Sequence, residues 1–393
     1  MLKTPFMSRA IGSLAAIALV ASCSHEPPKP TPEELAAQAQ KAEADKQAAA
    51  KAEADKKAAA EAEALRQEKA KLDAAVAALP AAPAIPPSPA YLGPVDAPPD
   101  NALTPEKVAL GQQLFFDKRL SKDGTESCES CHHPDQSFTS GSAVDAKVGG
   151  KMNVRNAPTM INLGYHGNGY YWDGRKPTLE TVSQAAWSGQ LGGDPEAVPV
   201  QLNANPTYRA LFQRAFGGPA TAQNIPQALA SFLRALKGGD SPYDKFDEGD
   251  KKAVSKEAQA GFQVFTDKGC TLCHAPPLYS DTDFHAVGIG WDKDKKAFAD
   301  HGRMDATKDP GDDGKFKTPS LRDVAKTGPY FHDGSVKTLD EAIDLMAAGG
   351  VPNPNLDAKL HPAKLTKKQK AELKAFLESL TGTIALAAPP TLP

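Results

Sequence analysis

The chain has 393 residues, and 45 Lys and Arg against 48 Asp and Glu leave a formal charge of −3, which excludes the basic face a nucleic-acid partner requires. Beyond the N-terminal segment no apolar stretch approaches the roughly 20 residues of a transmembrane helix, so no membrane span is expected.

Lys3 and Arg9 precede an apolar run over 10–21 that is too short to cross a bilayer and suits a secretory signal. The run ends Leu19-Val20-Ala21-Ser22-Cys23, and small residues before a cysteine resemble a bacterial lipobox. The expectation is a lipoprotein signal peptide over 1–22, with Cys23 as the lipid anchor and the sole membrane attachment. The chain is then periplasmic, and Ser24 in place of Asp points to the outer membrane.

Residues 33–78 are almost wholly Ala, Glu, Lys, Gln and Asp, with Lys-Ala-Glu-Ala-Asp-Lys at both Lys41 and Lys51. These are strong helix formers with no apolar face to bury, so 23–79 reads as a semi-rigid tether. Eight prolines between Pro80 and Pro99 predict a stiff, extended linker over 80–100, with folded structure beginning near Asn101.

The remainder divides into 101–247, 248–384 and a tail, 385–393, because it carries an internal repeat. Gly111-Gln-Gln-Leu-Phe-Phe-Asp-Lys118 echoes Gly261-Phe-Gln-Val-Phe-Thr-Asp-Lys268. Thr104 and Ser255 are hydroxyl N-caps for a helix in each copy. Thr366 caps a further helix bearing Leu373, Phe376, Leu377 and Leu380. β-rich runs are absent, so the fold is expected to be mostly α.

Each repeat runs into Cys-x-x-Cys-His: Cys128, Cys131 and His132, then Cys270, Cys273 and His274. Two cysteines three apart form thioethers to both haem vinyls while the adjacent histidine reaches the iron, the c-type attachment pattern. With Cys23 taken by lipid, the count predicts two covalent haems c and no disulfide. A four-cysteine zinc site shares the spacing, but it has no use for a histidine after each pair. The expected fold is two tandem class I cytochrome c-like domains.

From about Thr104 to Gly382 the sequence resembles the bacterial dihaem cytochrome c peroxidase and MauG family. The resemblance rests on Leu-Ser-Lys-Asp-Gly before the first haem motif, Arg155-Asn156-Ala157-Pro158-Thr159, Tyr171-Trp172-Asp173-Gly174-Arg175, and the long run from Thr318 to Phe331-His332-Asp333-Gly334. It implies that Met346, in a helix expected over 339–348, is the second ligand of the C-terminal, electron-transfer haem, with His332 nearby. It implies that Trp172 lies between the haems, and that Asn156 with the carbonyls of Thr327 and Pro329 holds a calcium ion.

The N-terminal haem is the expected peroxidatic site. The position of the histidine that caps it in many relatives falls on Val148, as in the MauG-type members, which leaves His166 as the candidate substitute. The family's proton-moving glutamate has no counterpart in register. Alternative alignments place Gly192, Asp194 or Gln190 there, leaving Gln190 and Asp194 as candidate catalytic residues beside Trp172.

The implied activity is reduction of hydrogen peroxide to water, with electrons from a small cytochrome c or cupredoxin entering at the C-terminal haem. The implied assembly is a homodimer. The alternatives are a non-catalytic electron-transfer cytochrome and a MauG-like oxidase of protein Trp or Tyr side chains. A Met at position 346 counts against the latter, because that relative carries a tyrosine ligand there.

Overall fold

A computed structural model describes residues 29–393, so Cys23 and the signal segment lie outside the described residues. The chain forms two units, the first ending at Glu68 and the second covering Lys69–Pro393. Helix α1 (Pro32–Ala78) buries none of its residues. It starts at a reciprocal cap in which Glu34 N–H donates to Thr31 and the Glu34 carboxylate accepts from Thr31 N–H. Among the described residues no helix is long and apolar enough to cross a membrane.

The second unit is mostly helical: α2 (Pro105–Phe116), α3 (Leu179–Gly189), α4 (Ala197–Ala204), α5 (Pro206–Phe216), α6 (Asn224–Ala235), α7 (Pro242–Asp247), α8 (Lys256–Asp267), α9 (Met304–Thr307), α10 (Leu339–Ala347) and α11 (Lys367–Ser379). Strand content is limited to two-residue antiparallel pairs. β1 (Gly238–Gly239) pairs with β6 (Thr383–Ile384), β2 (Phe284–His285) with β5 (Phe316–Lys317), and β3 (Trp291–Asp292) with β4 (Ala297–Phe298).

Two hydrophobic cores result, one running from Leu110 to Leu236 and one from Tyr243 to Leu380. Tyr243 packs in the second, so α7 sits with that core although the expected boundary fell after residue 247. The cores repeat each other in detail. In the first, α2 crosses α6 where a Cβ on Gly111 would stand 1.9 Å from the Ala228 carbonyl oxygen. In the second, α8 crosses α11 where a Cβ on Gly261 would stand 2.0 Å from that of Glu372. Phe115 meets Phe232 and Phe138 around the first crossing, and Phe265 meets Phe376 and Tyr279 around the second.

The repeat continues beyond the segments legible by eye. Asn162 and Asp323 both take left-handed backbone and open 3-10 turns, Leu163–Tyr165 and Val324–Lys326. Tyr171 and Phe331 have φ of 64° and 66°, and Thr178 and Thr338 cap α3 and α10 with reciprocal boxes. In this register Trp172 corresponds to His332, and Met346, eight residues after Thr338, corresponds to Ala186, eight after Thr178.

Residues 80–100 differ from expectation: they are docked rather than free. Prolines lack an N–H and leave a run of unpaired carbonyls, which side chains of the folded unit reach. Arg214 donates to Pro80 O at 2.6 Å, Lys237 to Pro86 O at 3.0 Å and Tyr165 to Gly93 O at 3.1 Å. The expected tail is docked too. Leu386 and Ala387 pack on the first core, and Gln112 donates to the carbonyls of Leu386 and Ala388.

Candidate functional site

Each Cys-x-x-Cys-His segment opens on a 3-10 turn, Cys128–Ser130 and Cys270–Leu272, which brings the histidine N–H back onto the first cysteine's carbonyl at 3.2 and 2.9 Å. Both imidazoles are then oriented the same way. His132 Nδ1 lies 2.9 Å from Phe138 O, and His274 Nδ1 lies 2.9 Å from Tyr279 O. An N–H at Nδ1 donating to a carbonyl fixes the tautomer and leaves Nε2 with its lone pair for a metal. Burial pushes His132 down to about 4, and it also lowers His274, so both rings are neutral as ligation needs.

The four cysteines of these segments are unpaired. Cys128 packs against the first core and Cys270 against the second, which separates the pairs onto different cores, as two haem sites require and a single tetrathiolate zinc site does not. The residues present therefore fit two haems c. Cys273, Asp281 and His285 converge within 4.8 Å, but a cysteine committed to a thioether is no metal ligand. His285 instead bridges Asp357 (2.6 Å) and Asp281 (3.0 Å). Both carboxylates lie within hydrogen-bond reach of this buried ring.

Met346 lies near the end of α10, half-buried and outside both hydrophobic cores. A helical methionine that fills no core is available as a ligand. At the corresponding place α3 presents Ala186, which has no donor atom. The turn after α3 carries the other candidates. Val148 N–H donates to Gln190 O at 3.0 Å and Lys122 N–H to Leu191 O at 2.9 Å, tying the Val148 loop to Gln190. Gln190 is half-buried at the C-cap of α3.

Asp194 is exposed, and its Oδ1 accepts from the N–H groups of Glu196 and Ala197 at 2.8 and 3.0 Å. Those bonds hold its carboxyl below the usual range. It caps the start of α4, which leaves Gln190 the better placed of the two candidates. His166 is elsewhere, with Nδ1 3.5 Å from Lys317 Nζ on β5. Burial and that ammonium push it down to about 3.

Trp172 bonds residues of both repeats. Its indole donates to Asn156 O at 2.9 Å, and its own carbonyl accepts from Lys317 N–H at 2.7 Å. Its counterpart, His332, is buried and stacked on Phe316 with centroids 3.5 Å apart. Asn156 N–H donates to His332 O at 2.7 Å, and its side-chain amide donates to the carbonyls of Ser142 and Ala143. Both amide hydrogens of Asn156 are thereby committed to backbone carbonyls. Thr327 and Pro329 follow the second repeat's 3-10 turn.

Sequence reading passed over several residues of this junction. Arg155 donates to both oxygens of Asp300 at 2.7 Å and to Asp173 at 2.6 Å, linking the two cores. Lys317 is buried, donates to Gly169 O at 2.7 Å, and is pushed down to about 8 by that burial. Arg155 and Asp173 lie inside the quoted motifs, which was the available signal, whereas Asp300 lies outside any of them.

A profile of the di-haem cytochrome c peroxidase family matches residues 105–252. The chain is 37% identical over 324 residues to the cytochrome-c peroxidase IdrP1 of Denitromonas iodatirespirans, covering 74% of this chain and 86% of that one. It is 37% identical over 300 residues to the methylamine utilization protein MauG of Methylorubrum extorquens, covering 75% and 83%. A solved MauG-like protein associated with microbial copper homeostasis superposes with a TM-score of 0.70 at 33% identity, covering 77% of this chain and 96% of that one.

Proposed function

The chain belongs to the di-haem cytochrome c peroxidase family, and on that premise we propose that it reduces hydrogen peroxide to water with electrons from a small cytochrome c or cupredoxin, received at the C-terminal haem. Bound haem would supply the redox-active iron, and an iron left without a second protein ligand would admit peroxide. The chain's residues decide which iron is open. His132 and His274 each offer one nitrogen, Met346 offers a sulfur to the second site, and Ala186 and Val148 offer nothing to the first. That contrast, Ala186 against Met346 in one repeat register, carries the reading.

Peroxide cleavage needs a proton moved between its oxygens. Gln190 donates and accepts hydrogen bonds without releasing a proton, so it orients peroxide while water relays the proton. Trp172, pinned by Asn156 and Lys317, lies on the electron path between the cores. In the same reading Asn156 Oδ1 and the carbonyls of Thr327 and Pro329 hold calcium, whose preference for neutral oxygen donors suits them. Cys23 anchors the chain by lipid to the periplasmic face of the outer membrane, and the enzyme is a homodimer.

A second reading, oxidation of a partner protein's Trp or Tyr side chains as in MauG, is favoured by Val148, which offers the first site no capping nitrogen, and disfavoured by Met346. Electron paramagnetic resonance of the oxidised protein tests the main one, with one high-spin and one low-spin haem expected and cyanide binding without prereduction. Val148→His is expected to convert the high-spin signal to low-spin. A wild-type protein with both haems low-spin would overturn the proposal, and peroxide reduction whose two electrons come from a partner protein's Trp or Tyr side chains, with no reduced cytochrome or cupredoxin consumed, would favour the second reading.

A further inference from the structure

The docked segment over 80–100 makes one polar contact deep in the second core. Tyr91, its single aromatic residue, donates to Asp244 Oδ2 at 3.0 Å, and the Arg322 guanidinium lies 4.4 Å over its ring. Arg322 and Asp244 are both buried, and they form a two-pronged pair at 3.0 and 3.1 Å. The remaining Arg322 donor, Nε, bonds Pro277 O at 2.8 Å, and the guanidinium faces the Tyr279 ring at 5.6 Å. Tyr279 supplies the carbonyl that orients His274. A continuous set of contacts thus runs from Tyr91 through Arg322 to the acceptor of the second haem's ligand.

Two further observations show that this seat is built. A Cβ on Gly239 would stand 2.5 Å from the Tyr91 hydroxyl oxygen and 2.9 Å from Pro89, so β1 carries no side chain where the segment crosses it. A Cβ on Gly164 would stand 2.4 Å from Val95. The first core has no equivalent, since in the repeat register Arg322 corresponds to Ile161, a buried aliphatic residue. The contact therefore acts on one haem site and not the other.

We propose that Tyr91 is a positioning residue for the second haem, holding Arg322 and Asp244 in the arrangement that fixes the 277–279 loop and the carbonyl acceptor of His274. The strength of that Nδ1–H bond sets the basicity of the ligand, and ligand basicity tunes the potential of the iron. Weakening it lowers electron donation to the oxidised iron and raises the potential. The inference rests on the two-haem reading above.

The test is spectroelectrochemical titration of full-length holoprotein carrying Tyr91→Phe, which keeps the ring and loses the hydroxyl, and Tyr91→Ala, which loses both. The midpoint of the Met-ligated haem is expected to rise, more in Tyr91→Ala than in Tyr91→Phe, while the other haem keeps its midpoint. Unmoved midpoints, a fall, or equal shifts of both haems overturn the proposal. Should Tyr91→Ala fail to fold, Tyr91→Phe decides alone by the same criteria. Haem content separates this failure from that of the underlying reading: fewer than two haems per wild-type chain sinks both, whereas two haems with an unmoved second midpoint sinks this proposal only.

Discussion

At the scale of single residues, the two haem sites differ by what one side chain offers. Met346 has a thioether sulfur and lies in no hydrophobic core, whereas Ala186 at the same place in the first repeat has only a methyl group. Met346→Leu is therefore expected to abolish the Met-to-iron charge-transfer absorbance of one haem and lower its potential. Persistence of that absorbance would assign the ligand elsewhere. The attachment residues were legible because thioether chemistry demands an invariant local spacing. Asp194 illustrates the limit: its type suited proton transfer, and only its bonds to Glu196 and Ala197 reveal a helix cap.

At the scale of elements, the repeat supplies controls within one chain. Gly261 lies at the crossing of α8 and α11, where a methyl group would press on the Glu372 carbonyl 2.0 Å away and on Phe376. A backbone carbonyl in a helix cannot swing aside, so Gly261→Ala is expected to cost about 3 kcal/mol, read as a lowered denaturation midpoint. An unchanged midpoint would show that the crossing is loose. Asp323 and Asn162 occupy equivalent turns, and each accepts from a glycine N–H, Gly382 and Gly238 respectively. Burial pushes Asp323 up to about 6 from the ordinary 3.8. A folded value above the unfolded one means that the contribution is fully present below about pH 4 and is lost as pH rises through 6. Asp323→Asn, which copies the first repeat, is expected to raise stability at pH 8 by about 3 kcal/mol and to leave it nearly unchanged at pH 4. Equal stability of the two proteins at pH 8 would refute the linkage.

At the scale of the whole molecule, the ties joining two haem-bearing cores include the Arg155 bonds to Asp173 and Asp300, the Lys317 bond to Gly169, and the strands β1 and β6. Mass spectrometry of the mature chain is expected to show two haems by mass, removed one at a time by Cys131→Ser with Cys128→Ser and by the matching pair Cys270→Ser with Cys273→Ser. One haem in the wild type, or bound zinc, would overturn the assignment. The sequence alone determined the helical class, the two-fold repeat, both Cys-x-x-Cys-His motifs and the caps of α2, α8 and α11, because each is set by residues close in the chain whose spacing or hydroxyl chemistry is local. Tertiary structure alone decided that the proline-rich segment and the last residues are docked, that Met346 and Ala186 are counterparts, and that Tyr91 reaches the second haem's surroundings. Those facts depend on groups separated by up to 276 residues, as between Gln112 and Ala388. A proline's unpaired carbonyl has the same local sequence whether water or a distant arginine satisfies it, and only the packed cores bring the arginine there.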